Sequence, residues 1–207
     1  MPPLRAQDFA EVRDWPGYFG AVLGKPPRET LIAALEAFEK EGRKPGLAVD
    51  LGAGEGRDTL ELLKRGWRVV AIDGSPDAFG LLWPRVPEGQ RSLLTTEEAT
   101  FADTQLPECD LLNASFALPF CEPRDFGTLW GKIVAAIRPG GRFAGQFFGD
   151  RDSWAALPDR SHQSREELDR LLAGFEVEMM KVEEKDESPD VRKPKHWHVF
   201  HVVARKK

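Results

Sequence analysis

Three glycines and two aspartates lie close together in the first third of the sequence, in an order that suits a nucleoside-containing ligand. Gly52, Gly54 and Gly56 alternate with other residues just after Asp50, and Asp73 ends the next apolar run. Glycine permits positive φ and lets a ligand lie against bare backbone. A carboxylate at a strand tip can accept the hydroxyl protons of a ribose. These residues therefore predict a nucleoside site.

The surrounding pattern predicts the strand–helix–strand unit that would hold this site. The run 47–51 is too apolar to face water, so we expect a central parallel strand. A helix should begin at Asp58 or Thr59 and stop at Gly66. The run 67–72 should form the next strand. Both strands would then end at the same edge of a sheet, beside the glycines.

The glycine spacing disfavours a dinucleotide. A dinucleotide fingerprint would have its third glycine where Arg57 stands. An NAD(P)-dependent oxidoreductase is therefore the weakest of the functions that this unit allows.

These motifs resemble those of a known family. Residues 50–56, Asp-Leu-Gly-Ala-Gly-Glu-Gly, with Asp-Gly-Ser at 73–75, look like the first two motifs of class I S-adenosylmethionine-dependent methyltransferases. Residues 138–143, Arg-Pro-Gly-Gly-Arg-Phe, are also similar to that family, and residues 145–154 resemble its small tellurite-resistance-type and thiopurine-type branch. The similarity runs from about residue 31 to residue 205.

The resemblance implies an α/β, Rossmann-like fold. We expect one methyltransferase domain over residues 1–207, with a seven-stranded, mostly parallel sheet and helices on both faces. The family resemblance, and not the spacing, implies the strand order 3-2-1-4-5-7-6.

The resemblance also implies S-adenosylmethionine as the cofactor and assigns residues to it. Gly52 and Gly54 would lie along its methionyl part, and Arg57 would reach its carboxylate, which suits a guanidinium fork. Asp73 would bind the ribose and Asp103 the adenine amine. The predicted cofactor-binding residues are Asp50, Gly52, Ala53, Gly54, Arg57, Asp73, Gly74, Ser75, Phe101, Ala102, Asp103, Asn113, Ala114 and Ser115.

Several of these residues also fit an ordinary structural role. Arg57 is equally suited to a solvated helix face, and Asp103 to an exposed loop. Asp73 could cap the helix that follows Ser75, and Ser115 could cap a helix of its own.

The sequence says less about the residues that would bind the methyl acceptor or cover the site. Residues 1–27 look irregular and lie outside the strand–helix pattern, so we expect a cap segment whose rings, Trp15, Tyr18 and Phe19, cover the site or pack on outer helices. Phe116 follows a strand tip, and Asp150 lies in a loop that either lines the substrate pocket or faces solvent. The Asn/Asp-Pro-Pro-aromatic motif of many nucleobase and glutamine methyltransferases is absent after the fourth strand, which disfavours those substrates.

Beyond the first unit, sequence patterns predict the remaining elements. A helix should follow Pro27, and a capping box at 164–167 should open another that stops at Gly174. Asp125 should cap a helix as well. Further strands are predicted at 91–95, 109–113, 142–148, 175–182 and 196–204.

Composition restricts the possible partners. The chain has 207 residues and a net charge of −5, which disfavours a nucleic-acid footprint. No apolar run approaches the ~20 residues of a membrane span, and the charged N-terminus does not resemble a signal peptide. Two cysteines suggest reduced thiols in the cytoplasm. We expect a monomer or homodimer.

Three histidines near the C-terminus are candidate metal ligands. His196 and His198 would share one face of a strand, while His201 points the other way. No cysteine lies near them in sequence, so we predict no metal site.

The sequence thus predicts a methyltransferase that moves a methyl group from S-adenosylmethionine to a small-molecule nucleophile by in-line displacement. No Ser-His-Asp order or paired-carboxylate pattern is convincing, and a general base is optional for this chemistry. The alternative is a protein that binds S-adenosylmethionine or a nucleoside without catalysis.

Overall fold

The computed structural model describes residues 4–188 and 194–207, and its centre is one mixed sheet. Strand order across the sheet is β3-β2-β1-β4-β5-β8-β7, while the two-residue β6 pairs only with β5. Without β6 this is the predicted order 3-2-1-4-5-7-6, so the predicted fold is confirmed. The strands are β1 Leu47–Leu51, β2 Arg68–Asp73, β3 Leu94–Glu98, β4 Cys109–Ala114, β5 Ile137–Gly149, β6 His162–Gln163, β7 Phe175–Asp186 and β8 His196–Lys206.

The first five strands run parallel, and β8 lies antiparallel between β5 and β7. Strand β1 is buried from Ala48 onward because helices cover both faces of the sheet. The parallel arrangement brings the carboxyl ends of β1, β2 and β4 to one edge. Asp50, Asp73 and Asn113 lie at or next to those ends.

Helices pack on both faces in two apolar clusters. Leu31 and Leu62 belong to one cluster, and Trp130 and Leu168 belong to the other. The helices are α1 Ala6–Glu11, α2 Trp15–Val22, α3 Glu29–Lys40, α4 Arg57–Lys64, α5 Pro76–Leu82, α6 Pro123–Ala136 and α7 Arg165–Leu171. None of the helices among the described residues is long and apolar enough to cross a membrane.

The expectation of an irregular segment at 1–27 is wrong for the described residues 4–27, because α1 and α2 lie within it. Asp14 accepts a hydrogen bond from the backbone N–H of Gly17 and so begins α2. Helix α1 has only six residues, and the eight residues of α2 include three aromatic residues and two glycines, so neither shows a clear helical periodicity.

Two predicted helix starts had different outcomes. Ser164 and Glu167 form the predicted capping box at α7. Asp125 does not cap α6, which begins two residues earlier at Pro123. Proline is well suited to the first helical position, and this preference set the boundary. Of the two prolines in the β7–β8 connection, Pro189 lies outside the described residues.

A buried arginine joins the sheet to α3. The side chain of Arg142 on β5 is 1% exposed, donates to Glu178 at 2.6 Å and also pairs with Glu41. Its guanidinium lies 4.4 Å from the ring centre of Phe38. The single guanidinium group of Arg142 therefore pairs with one carboxylate on β7 and one at the end of α3.

We predict that Arg142→Ala lowers the free energy of unfolding by about 3 kcal/mol, the low end for breaking a buried pair, because both carboxylates keep some access to water. The measurement is urea denaturation. Arg165→Ala is the control: its pair with Asp169 is about half exposed and should contribute less than about 0.5 kcal/mol. Equal losses in the two variants would contradict the role given to Arg142.

Candidate functional site

A cavity of about 300 Å³ opens at the carboxyl ends of β1, β2 and β4. In open α/β sheets this edge is where ligands bind. Many of the residues predicted from the sequence line it: Trp15, Tyr18, Phe19, Asp50, Gly52, Ala53, Gly54, Arg57, Asp73, Gly74, Ser75, Phe101, Ser115 and Phe116.

The turn between β1 and α4 needs its glycines. Gly52, Gly54 and Gly56 have φ values of 73°, 55° and 88°, which side chains rarely tolerate. A Cβ on Gly52 would lie 2.6 Å from the Cβ of Ala117. The glycines thus leave a backbone-lined cradle at the floor of the cavity.

Asp73 holds this turn to the tip of β2. Its Oδ2 accepts the N–H of Gly54 at 2.8 Å, and its Oδ1 accepts the N–H of Ser75 at 2.8 Å. Burial raises the pKa of the Asp73 carboxyl, and the two backbone donors oppose that rise. The contact with Ser75 resembles the predicted cap, yet the same carboxylate lines the cavity. Each oxygen keeps acceptor capacity for a ligand hydroxyl.

A buried polar cluster lies beside the glycine turn. The Asn113 side-chain amide donates to Asp50 Oδ1 at 2.8 Å and to Asp58 Oδ2 at 3.0 Å. Thr59 donates its hydroxyl proton to Asp50 Oδ2 at 2.5 Å. Burial, and next the negative charge of Asp58, raise the pKa of Asp50 to about 7.

Two guanidinium groups reach the cavity near this cluster. Arg57 lies 3.7 Å from Glu55, and its side chain is 9% exposed, so it is not a solvated helix residue. Arg28 lies 4.4 Å from the ring centre of Phe116 and 3.4 Å from the Tyr18 hydroxyl. Burial lowers the pKa of Arg28.

Arg28 has no carboxylate within ion-pair distance among the residues that the structure describes, and sequence reasoning missed it. Its position just before the α3 helix gave no signal for a ligand. A guanidinium without a counterion at a cavity wall is suited to an anionic group.

Helix α2 supplies the wall opposite the glycine turn. The Phe19 ring would lie only 3.1 Å from a Cβ placed on Gly54, so glycine leaves the space that this ring needs. Trp15 contacts Phe120 edge to face, with ring centres 4.9 Å apart. The ring of Tyr18 lies 6.1 Å from that of Trp15. The predicted cap residues therefore line the cavity.

Two arginines hold this wall against the neighbouring segment at residues 159 and 160. Arg13 donates to the Asp159 side chain at 2.9 Å and to its carbonyl at 2.7 Å. In the other direction, Arg160 donates to the carbonyls of Ala10 and Glu11 at the end of α1. Arg13 itself has a φ of 57°, an unusual conformation for a residue with a side chain.

Five predicted site residues do not line the cavity. Asp103 is exposed and accepts the Thr100 hydroxyl at 2.7 Å, while the Ala102 carbonyl accepts from Lys132. Asn113 and Ala114 are fully buried in β4, where Asn113 orients the two aspartates. Asp150 lies 3.7 Å from Arg151 and 3.5 Å from His198. It is in an exposed loop, which was the second of the two expectations for this residue.

Other cavity residues escaped the sequence analysis. Some of them lie within the predicted motif, strand or helix start but were not assigned to the site, namely Leu51, Glu55, Asp58 and Ile72. The others come from segments without a motif, which the fold brings to the cavity: Arg13, Arg28, Ala99, Thr100, Ala117 and Phe120.

The C-terminal histidines each have a partner of their own. His196 lies 2.8 Å from Asp186, and His201 lies 3.1 Å from Glu183. Across residues 4–188 and 194–207, no group of three potential ligands comes together to hold a metal.

Comparison with known proteins shows which proteins this chain resembles. Residues 48–141 match the family model described as "Methyltransferase domain". An uncharacterized methyltransferase of Mycobacterium tuberculosis is 32% identical over 104 residues, which are 50% of this chain and 40% of that protein. Magnesium-protoporphyrin O-methyltransferase of Rhodobacter capsulatus is 33% identical over 100 residues, 48% of this chain and 45% of that protein. The chain thus aligns with less than half the length of these relatives.

Solved structures share the fold at low identity. TehB from Haemophilus influenzae superposes with a TM-score of 0.72 at 17% identity, over 92% of this chain and 66% of that chain. The Burkholderia thailandensis 1,6-didemethyltoxoflavin-N1-methyltransferase, solved with S-adenosylhomocysteine, gives a TM-score of 0.65 at 22% identity, over 100% and 92% of the two chains. The family match includes residues 50–56 and 73–75 and confirms the resemblance drawn from them, and the solved structures confirm the fold.

Proposed function

We propose that this chain, which belongs to the class I S-adenosylmethionine-dependent methyltransferases, transfers the methyl group of that cofactor to a small-molecule nucleophile by in-line displacement. The observation that carries the proposal is the cavity where the glycine cradle and the oriented Asp73 carboxylate meet. Relatives support a small acceptor, since one is a magnesium-protoporphyrin O-methyltransferase and another an N-methyltransferase of 1,6-didemethyltoxoflavin.

The residues present fit the cofactor. Gly52 and Gly54 leave room against the backbone that a Cβ would fill, and Asp73 offers both oxygens to a ribose. Arg28 and Arg57 are the cavity cations closest to the polar cluster, and they suit the methionyl carboxylate. When bound, S-adenosylmethionine supplies a methyl carbon on a positively charged sulfur, which a nucleophile takes as the neutral thioether leaves.

The acceptor end is proposed to be the aromatic wall. Phe116 has a φ of 52°, and its N–H donates to Gln146 Oε1 at 2.8 Å; Gln146 in turn donates to Thr30. This bond fixes a strained residue at the tip of β4, where its ring faces Arg28. Trp15 and Phe120 complete the wall.

No carboxylate, imidazole or thiol of the described cavity residues lies on this aromatic wall. We propose that the protein's contribution is to align the acceptor and to exclude water, and that a general base is optional for this chemistry.

The two cysteines bear on the cellular compartment. Both cysteines are free and buried, which fits a reducing compartment, and we propose the cytoplasm. We also propose that residues 1–207 act as one domain, as a monomer or homodimer.

The first test is cofactor binding. S-adenosylhomocysteine at about 100 times its dissociation constant should stabilise the fold by about 2.7 kcal/mol, because it binds only the folded state. For a chain of this length the melting temperature should rise by roughly 5–10 °C. NAD is the control ligand and should give no shift. A shift with NAD alone would favour an oxidoreductase. Binding of S-adenosylhomocysteine without turnover, across thiols, selenite, tellurite, amines and carboxylates, would favour the non-catalytic alternative.

The second test concerns the ribose. Asp73→Ala should weaken S-adenosylhomocysteine binding by about 1.5–3 kcal/mol, the range for a hydrogen bond to a charged group. Calorimetry measures the affinity, and circular dichroism checks the fold. Asp169→Ala, at an exposed acid on α7, should leave the affinity unchanged. An unaltered affinity in the Asp73 variant would remove this residue from the ribose site.

The third test concerns the cap. We propose that α1 and α2 cover the acceptor end, so ligand binding should slow amide hydrogen exchange in residues 9–22. Deleting residues 1–24 should cut turnover and leave the sheet folded. Equal exchange with and without S-adenosylhomocysteine would instead favour simple packing of Trp15, Tyr18 and Phe19 on the fold.

A further inference from the structure

One arginine that lines the cavity keeps a hydrogen-bond donor without a protein partner. Arg13 is a lining residue, and its side chain is 34% exposed. Its Nε donates to the Asp159 carboxylate at 2.9 Å, and its Nη2 donates to the Asp159 carbonyl at 2.7 Å. Its Nη1 has no hydrogen-bond partner among the described residues. The guanidinium group is therefore held in place while one nitrogen stays available to a ligand.

The contacts of Asp159 place this guanidinium beside the aromatic wall. Asp159 also pairs with Arg160 at 2.5 Å, and the Arg160 guanidinium lies 4.8 Å from the ring centre of Phe120. Arg13 itself lies two residues before Trp15, whose ring contacts Phe120. The same carboxylate thus serves two guanidinium groups at this end of the cavity.

The charges that line the cavity are divided between its two ends. All the lining carboxylates belong to β1, β2 or the segment that leads from the glycine turn into α4. At the aromatic end, the charged lining residues among those described are Arg13 and Arg28. Asp14, the acid next to Arg13, caps α2 and is not a lining residue. The aromatic end therefore favours an acceptor that brings a negative charge.

We propose that the methyl acceptor is a planar aromatic acid, whose ring packs on Trp15 and Phe120 and whose acidic group binds Nη1 of Arg13. This inference rests on the proposed function and names the substrate class for the same site. Arg28 and Arg57 remain for the carboxylate of the cofactor, which leaves Arg13 as the cavity cation for the acceptor. The ion pair orients the acceptor, and a different atom of the acceptor takes the methyl group.

The rings of the wall disfavour the opposite case, a cationic acceptor. Two of them already have a guanidinium group nearby, since Arg28 lies 4.4 Å from the ring centre of Phe116 and Arg160 lies 4.8 Å from that of Phe120. These contacts weaken the cation–π attraction that an ammonium group on the acceptor would need. A carboxylate instead gains a charge-assisted hydrogen bond from Arg13, which is about twice as strong as a neutral one.

The experiment uses the full chain saturated with S-adenosylhomocysteine, so that the cofactor site is occupied. The probes are two matched pairs, benzoate with benzamide and 2-naphthoate with 2-naphthamide, whose members differ in charge and little in shape. Calorimetry at neutral pH measures the affinity of each probe. We expect the carboxylate of each pair to bind about tenfold more tightly than the amide, the low end for a hydrogen bond to a charged group, because Arg13 is partly exposed.

Two variants of Arg13 assign the preference to its charge and its shape. Arg13→Gln removes the charge, so it should abolish the preference for the carboxylate and leave the affinities for the amide and for S-adenosylhomocysteine unchanged. Arg13→Lys keeps the charge without the planar guanidinium and should retain part of the preference. This second variant serves as the test if Arg13→Gln does not fold.

Two further variants separate the ring contacts from the acid contact. Trp15→Leu removes one ring of the wall and should weaken the binding of carboxylate and amide alike. Arg165→Gln, at an exposed arginine on α7, is the matched control and should change neither affinity.

The failure of this inference is distinguishable from the failure of the proposed function. If S-adenosylhomocysteine does not bind, the proposed function is wrong. If it binds and the carboxylates bind no more tightly than the amides, or no probe binds, the acceptor is not an aromatic acid and only the inference is overturned. A preference that survives Arg13→Gln also overturns it, and the loss of that preference in Arg28→Gln would then assign the acidic group to Arg28.

Discussion

The site depends on how one amide group joins two strands and a helix. Asn113 at the end of β4 donates to Asp50 on β1 and to Asp58 on α4, so three elements meet at a point with almost no access to water. An unpaired polar group there would cost about 1–3 kcal/mol. This hydrogen bonding keeps α4 in place just after the positive-φ turn, and the turn forms the cavity floor.

The sequence was informative wherever neighbouring residues determine the structure. Positive φ at Gly52, Gly54 and Gly56 follows from their lack of a Cβ, and parallel pairing brings Asp50 and Asp73 to the same edge. The capping box at α7 is likewise local, since Ser164 and Glu167 are three residues apart. Local geometry of this kind needs no knowledge of the rest of the chain.

The remaining parts of the site depend on contacts between distant segments. Arg28 reaches Phe116 on the tip of β4, and Arg13 reaches Asp159, contacts that no sequence spacing encodes. The strand pattern places Asn113 on the tip of β4 correctly, yet the residue orients two acids, a role that becomes visible only with Asp58 on the neighbouring helix. Asp103 lies outside the cavity, where its side chain is exposed and accepts a hydrogen bond from the Thr100 hydroxyl.

The cavity has two ends of different character, and this difference constrains the chemistry. All four cavity carboxylates, Asp50, Glu55, Asp58 and Asp73, lie on β1, β2 or the segment from the glycine turn into α4. The opposite wall is made of Trp15, Tyr18, Phe116 and Phe120, and it is fastened from behind by Arg160, which lies 4.8 Å from the Phe120 ring centre and bonds the end of α1. In the proposed reaction, negative charge near the cationic methyl donor would stabilise the bound reactant, whereas a carboxylate on the proposed acceptor wall would compete with the nucleophile for the same positive centre. Aromatic rings avoid that competition and exclude water, so the separation of acids from rings is itself an arrangement suited to methyl transfer.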